Sequence, residues 1–320
     1  MVIVVNKIIA IACVTGATGM VGSKIVQHLL AHGYQVRVLT RKTNYHDSKV
    51  TVFRGGLEDE EVLKRFLKDA NLLFHCAAEI HDESKMWATN VKGTENLLNC
   101  TRDNNIQYLC YISTCVVVGK TDQIKVTENT PCNPQDIYEK SKCTAEQMVA
   151  QGIDGCRVII LRPTEIFDES RPGAIELPMR NSWMDRIKLF IKGGECIHLI
   201  HADNVAAAAI YFISYPFEKT QCYFVSCDED PLNTLAGLWA FYDTIKNGRN
   251  SENIIPKRHL PIIIPHLLRQ IWRGKGNKGN VKYSSEKLLS TGFVFPLGLD
   301  SAIKKVILEK GAKNYKNTEC

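Results

Sequence analysis

Twelve cysteines occur in this 320-residue chain, yet no two stand as C-x-x-C. That absence removes the common zinc-finger and thioredoxin-like spacings, and no metal site is expected. Cys13, Cys76 and Cys110 instead lie inside apolar, strand-like runs, where a thiol acts as a small hydrophobe in a reducing compartment. The chain also lacks a long basic run and an RNA-binding sheet motif. With a net charge of only +6, nucleic acid is not an expected partner. Part of the positive excess is Arg269, Arg273, Lys275, Lys278 and Lys282, which read as a solvated loop. No unbroken apolar run is long enough to span a bilayer. Residues 1–5 are apolar but have no basic flank, so no secretion signal is expected and the chain reads as cytoplasmic. Residues 260–268 are apolar but short. They read as a helix packed on a substrate lobe, and membrane contact is not expected. What remains is a globular protein with 45% apolar and 23% charged residues, long enough for one large core or two smaller ones.

The chain is organised around Thr15-Gly16-Ala17-Thr18-Gly19-Met20-Val21-Gly22. Residues 8–14 before it form an apolar run that predicts a buried parallel strand, and residues 23–30 after it have helical apolar spacing. Strand, glycine turn and helix form the context a dinucleotide-binding motif requires. Gly16 permits the tight turn, Gly19 clears a path for a pyrophosphate, and Gly22 lets helix and strand pack closely. The helix N-terminus offers free N–H groups and a positive dipole end to the phosphates.

Further strands are predicted over 35–40, 50–54, 72–78, 108–114 and 156–163. The second ends at Arg41-Lys42, where an acidic residue would favour NAD. Cations suit the extra phosphate of NADP(H), which is the favoured cofactor, with NAD(H) as the alternative. The fifth strand carries Ser113 and Thr114 at its C-terminal end, where parallel sheets place ligands. Tyr138 and Lys142 are four apart on a predicted helix and project from one face. A phenol with an ordinary pKa near 10 is a poor base at neutral pH, and a nearby ammonium favours its ionised form.

The G-x-x-G-x-x-G spacing, His75-Cys76-Ala77-Ala78, and Y-x-x-x-K at Tyr138 and Lys142 together resemble the extended short-chain dehydrogenases, the NAD-dependent epimerase/dehydratase family. The resemblance implies an α/β fold, a Rossmann-type doubly wound parallel sheet with a smaller mixed C-terminal lobe. Residues 1–174 would form the dinucleotide-binding domain, with strands near 197–226 returning to it, and 175–320 mainly the substrate lobe. It implies Thr114, Tyr138 and Lys142 as catalytic, with Ser113 the fallback if the register slips by one. Gly16, Thr18, Gly19, Met20, Val21, Gly22, Arg41, Leu57, Ala77, Ala78, Asn90 and Pro163, together with Tyr138 and Lys142, would face the cofactor. Relatives carry Asp where Gly56 stands, so adenine binding would lean on backbone and packing. His201 and Asp203 would brace a loop, and a homodimer through the helices holding Asn90 and Tyr138 would follow by analogy.

Three functions are compatible with that resemblance. One is a reductase or dehydrogenase with exchangeable NADP(H), the second an epimerase or dehydratase with tightly held NAD, the third a cofactor-binding regulator without turnover. The hydroxyl, phenol and ammonium at 114, 138 and 142 argue against the regulator. Cys115 and Val116 stand where a dehydratase would carry an acidic pair. Arg41 tilts the choice to a reductase, and the keto group of a nucleotide-activated sugar is the favoured substrate. Against that, Cys196 occupies the place of the arginine that grips a sugar nucleotide's pyrophosphate, with Arg180, Arg186 or Lys188 as possible replacements. This keeps open a nonnucleotide ketone, as in relatives resembling 3β-hydroxysteroid dehydrogenases.

Overall fold

The computed structural model describes residues 10–248, 259–273 and 277–316. Residues 1–5, the first two residues of the predicted first strand and Lys275 lie outside them. The strands are β1 (Ile11–Thr15), β2 (Gln35–Thr40), β3 (Val50–Arg54), β4 (Leu72–His75), β5 (Tyr108–Ile112), β6 (Lys125–Val126), β7 (Arg157–Pro163), β8 (Glu165–Phe167), β9 (Leu199–His201), β10 (Gln221–Val225) and β11 (Lys282–Tyr283). Seven of them form one sheet in the order β10-β7-β5-β4-β1-β2-β3. The pairings of β1 with β2 and β4, β2 with β3, β4 with β5, and β5 with β7 are parallel. The chain moves outward from β1 to β3, then returns to lay β4 on the other side of β1. That reversal opens a crevice at the C-terminal strand ends, where such sheets bind ligands.

The central strands are continuous apolar runs because both faces are covered. Every residue of β4 and β5 is buried, while the edge strand β3 is partly exposed. The covering helices are α1 (Met20–Ala31), α2 (Glu60–Leu67), α3 (Glu83–Met86), α4 (Gly93–Arg102) and α5 (Ile137–Ala150). Leu63, Phe66 and Leu67 of α2 and Leu97 and Leu98 of α4 pack on Cys13, Leu73, Leu109 and Tyr111 of the strands. The Cys13 thiol donates to Phe66 O, and burial pushes its pKa up to about 12, so it is an inert core group. Asp59 caps α2 by accepting from Val62 N at 3.0 Å, and Glu60 and Glu61 follow at the positive dipole end. Asp136 and Glu139 form a reciprocal capping box that fixes where α5 begins.

By contact density the chain divides into two units. One comprises the residues up to Ser113, Asp136–Leu161 and Ala206–Cys222; the other comprises Thr114–Gln135, Arg162–Val205 and the residues from Tyr223 onward. The second unit holds helices α6 (Glu176–Arg180), α7 (Trp183–Lys192), α9 (Leu235–Asn247), α10 (Ile263–Arg273), α11 (Glu286–Leu289) and α12 (Leu299–Lys316), and α8 (Ala202–Ser214) runs from it into the first. Its largest core joins Phe167, Leu199, Leu238, Leu299, Ile303 and Val306. β9 pairs with β8 in a separate parallel pair, so of the late strands only β10 enters the large sheet. Before α11, Ser284 Oγ accepts from Glu286 N at 3.3 Å, while Ser285 turns away from the helix. Ser285 Oγ accepts from Ser226 N at 2.7 Å and lies 3.1 Å from Phe224 O, bonding to the end of β10 instead of the helix.

Gly22 is the tightest packing constraint in the α1 turn. A Cβ there would overlap Gly16 O and come within 2.8 Å of Gly16 C, backbone atoms that cannot swing aside. At Gly155 a Cβ meets nothing within 4 Å, and the only cost is its positive φ of +73°. Gly22→Ala is expected to lower stability by about 2–3 kcal/mol and Gly155→Ala by about 1 kcal/mol, as read by urea denaturation.

Candidate active site

The glycine turn is built against the end of β4. Gly16 has φ +68°, and a Cβ on it would lie 2.6 Å from Ala77 N and from Cys76 C. Gly19 is the N-cap of α1, which has no side-chain cap and no acidic residue in its first turn. The amide end of this helix is therefore left for an anion. Thr18 is exposed, Met20 half-buried, and Val21 and Gly22 are in the core. These features fit a dinucleotide pyrophosphate.

Beneath the turn lies a polar chain that sequence reasoning missed. Thr94 Oγ1 donates to Asn90 O at 2.6 Å, so its lone pair is left to accept from His75 Nε2, 3.0 Å away. His75 is fully buried, and burial, reinforced by the Lys142 charge, lowers its pKa to about 3, so the ring is neutral. With the proton on Nε2, Nδ1 accepts from Thr15 Oγ1 at 2.8 Å. Thr15 Oγ1 in turn accepts from the amides of Cys76 and Ala77, both at 3.2 Å. The network, which fixes the tautomer by its donor count, locks the end of β4 against the glycine turn.

Arg41 is exposed at the end of β2 and lines an open cleft of about 720 Å³ with Gly55, Gly56, Glu58, Asp59, Glu60 and Glu61. Four carboxylates therefore share the cleft with this one cation. A Cβ at Gly56 would overlap the Glu58 carboxylate. The Glu58 carboxylate, two residues along, therefore occupies the space that a side chain at position 56 would enter. Leu57 is buried and would touch a Cβ on Gly93, so its side chain packs on α4.

Tyr138 and Lys142 both lie on α5, and Tyr138 is half-buried. Lys142 is buried, donates to Ile112 O at 2.9 Å and sits 4.3 Å from the centre of the Tyr111 ring. Burial lowers its pKa to about 8, opposed by the nearby Glu146 carboxylate. Ser113 Oγ donates to buried Glu146 at 2.5 Å. Asn90 lies in a π-helical turn, Trp87–Lys92. Its side chain accepts from Glu79 N at 2.7 Å, donates to Glu79 O, and lies 3.0 Å from Ser141 Oγ of α5. Thus β5, α5 and the turn before α4 are joined by buried polar bonds. Ser113 is committed to this joint, whereas Thr114 is half-buried and accepts only weakly from Val116 N at 3.4 Å.

In the second unit, Pro163 is buried at the end of β7. Cys196 N donates to Gly279 O at 2.7 Å, and burial pushes its thiol up to about 11. Arg180 grips Asp185 through two 2.8 Å bonds, Lys188 approaches the same carboxylate at 3.4 Å, and Arg186 donates to Asn181. His201 Nδ1 accepts from Asp203 N at 3.2 Å, and its ring packs edge-on against Phe167.

A family model described as NAD dependent epimerase/dehydratase family matches residues 12–223. The chain belongs to this family. It is an NAD-dependent enzyme of that family. It is 26% identical over 262 residues to the bovine "Sterol-4-alpha-carboxylate 3-dehydrogenase, decarboxylating", covering 78% of this chain and 72% of that one. It is 29% identical over 176 residues to the UDP-glucose 4-epimerase of Lactobacillus helveticus, covering 51% of this chain and 53% of that one. A short-chain dehydrogenase/reductase superfamily protein from Agrobacterium tumefaciens with bound NAD superposes with a TM-score of 0.75, 18% identity and 97% and 100% coverage, which shows the shared fold.

In the unfolded chain His75 regains an ordinary pKa near 6.5. Between that value and about 3 the unfolded state binds the extra proton, so stability contributed by neutral His75 is present above pH 6.5 and is lost as pH falls. The stability gap between wild type and His75→Gln is expected to narrow by about 2 kcal/mol from pH 6.5 to pH 5, measured by urea denaturation at each pH.

Proposed function

We propose that the chain is an NADP(H)-dependent oxidoreductase that interconverts a ketone and an alcohol on a nonnucleotide, lipophilic substrate. The observation that carries the catalytic part is the joint between β5 and α5. Lys142 is held at Ile112 O and Ser113 at Glu146, which leaves Thr114 as the strand-end hydroxyl for substrate and Tyr138 as the phenol. A nicotinamide bound there would supply or accept the hydride at the substrate carbon. Thr114 donates a hydrogen bond to the substrate oxygen as charge develops there. Tyr138 supplies the proton in reduction and removes it in oxidation. Lys142 would hold the nicotinamide ribose, and its charge would keep the phenol acidic.

Around the rest of the cofactor, the amide end of α1 would hold the pyrophosphate. Arg41 would meet the ribose phosphate of NADP(H), and the Glu58 carboxylate beside Gly56 would accept from the adenine amino group. The flanking acids of that cleft temper the preference for the phosphorylated cofactor, so NAD(H) remains usable.

Two observations move the substrate away from a sugar nucleotide. Cys196 provides no cation for a pyrophosphate, and of its three candidate replacements Arg180 and Lys188 are drawn to Asp185 while Arg186 donates to Asn181. The match to the bovine sterol dehydrogenase also extends over 78% of the chain, against 51% for the sugar epimerase.

Tyr138→Phe is expected to lower kcat by about 10²–10⁴ while NADPH affinity changes little. Assaying 3-ketosteroids beside UDP-linked keto sugars, with NADPH titrated by fluorescence, checks both parts. Near-normal turnover in the variant would remove the role of Tyr138, and activity on the sugar nucleotides alone would reverse the substrate reading.

A further inference from the structure

Two helices of the second unit carry apolar stripes that no described residue covers. On α7 the stripe is Trp183, Met184, Ile187 and Phe190, between 46% and 71% exposed. On α10 it is Ile263, Ile264, Leu267, Leu268 and Ile271, between 37% and 78% exposed. The spacings i, i+1, i+4 and onward confine each stripe to one helix face. The helices are neighbours. Leu260 N, just before α10, donates to Phe190 O at 2.8 Å, and a Cβ on Gly193 would meet the His259 side chain at 2.7 Å.

The exposed charges on and beside these stripes are mostly positive, with two of the cations neutralised: Arg269 of α10 pairs with Glu195 and Lys282 with Glu229. From Asn181 to Lys192 the sole acid is Asp185, which is 1% exposed and tied to Arg180, while Arg186, Lys188 and Lys192 are exposed. Between Glu252 and Glu286 the sequence contains seven lysines and arginines and no acidic residue. Among the described residues no helix is long and apolar enough to cross a membrane. The eleven residues of α10 span only about 16 Å.

We propose that α7 and α10 form an interfacial membrane-binding face that seats the protein on an anionic lipid surface. The apolar side chains enter the acyl boundary, and the cations meet the headgroups. A second copy of the chain is the poorer occupant, because a two-fold contact through this face would set the same positive rims against each other. The proposal does not depend on the reaction assigned above.

Cosedimentation of the full chain with vesicles tests it. One set is phosphatidylcholine with about one third phosphatidylserine, the other phosphatidylcholine alone. The wild type is expected to partition about tenfold more strongly to the anionic vesicles, and added salt should weaken this binding. Leu267→Glu combined with Ile271→Glu is expected to lower binding by about tenfold or more. The melting temperature should stay unchanged, because both residues are about half exposed or more. Wild-type protein that stays in the supernatant with both vesicle types overturns the assignment. So does a double variant that binds as well as wild type. If the wild type fails to bind and the same substitutions split a dimer into monomers, the face belongs to a second copy.

Discussion

The structure depends on one close approach. At Gly16 the backbone of the first turn lies against the backbone of Cys76 and Ala77, with no space for a side chain. That contact sets where the strand ends open, and so where a dinucleotide can lie. It is held by neutral His75, which accepts from Thr15 on one side and donates to Thr94 on the other. Because every group in the chain is buried, each donor needs its acceptor, and a missing member would leave an unpaired polar atom costing about 1–3 kcal/mol. The packing of α1 through Gly22 builds on the same turn.

From this base the polar bonds run outward to the proposed chemistry. Thr94 bonds to Asn90 O, Asn90 meets Ser141, and Ser141 lies on the helix that carries Tyr138 and Lys142. The Lys142 ammonium is stabilised in a buried place by a carbonyl, an aromatic face and a carboxylate nearby. A lysine with a pKa near 8 is still mostly charged at pH 7, and the effect on the phenol proposed above depends on this surrounding.

Much of this was readable from the sequence because it is local. The glycine spacing, the alternation of apolar runs with helical segments and the four-residue step from Tyr138 to Lys142 each lie within one turn or element. They place β2 and β3 to the residue, β1, β4, β5 and α1 with ends shifted by up to about three residues, and Tyr138 and Lys142 on a helix whose bounds they leave open. What stayed hidden depends on pairs far apart in the chain. Thr15, His75 and Thr94 become a unit only when β1, β4 and α4 are assembled. The π turn at Asn90 has no sequence period of its own. Gly56 pointed to a missing acid, but only coordinates place the Glu58 carboxylate over it. Register alone favours Thr114 over Ser113, and the bond from Ser113 to Glu146 adds a physical reason for that choice. Arg180 and Lys188 were available cations until Asp185 drew them both. The apolar residues 260–268, expected to pack on a lobe, lie on a helix whose large side chains are exposed, because a strong helical stripe does not say what it faces.

The central claim is that the enzyme exchanges its nicotinamide cofactor with solution and prefers the phosphorylated form. The most direct test identifies any nicotinamide that co-purifies and then titrates the protein with NADPH and NADH, beside Arg41→Asp. The account predicts purified protein largely free of dinucleotide, reversible binding with NADPH the tighter ligand, and a preference that collapses in the variant. Stoichiometric NAD that survives purification would contradict it and indicate an enzyme with an internal redox cycle.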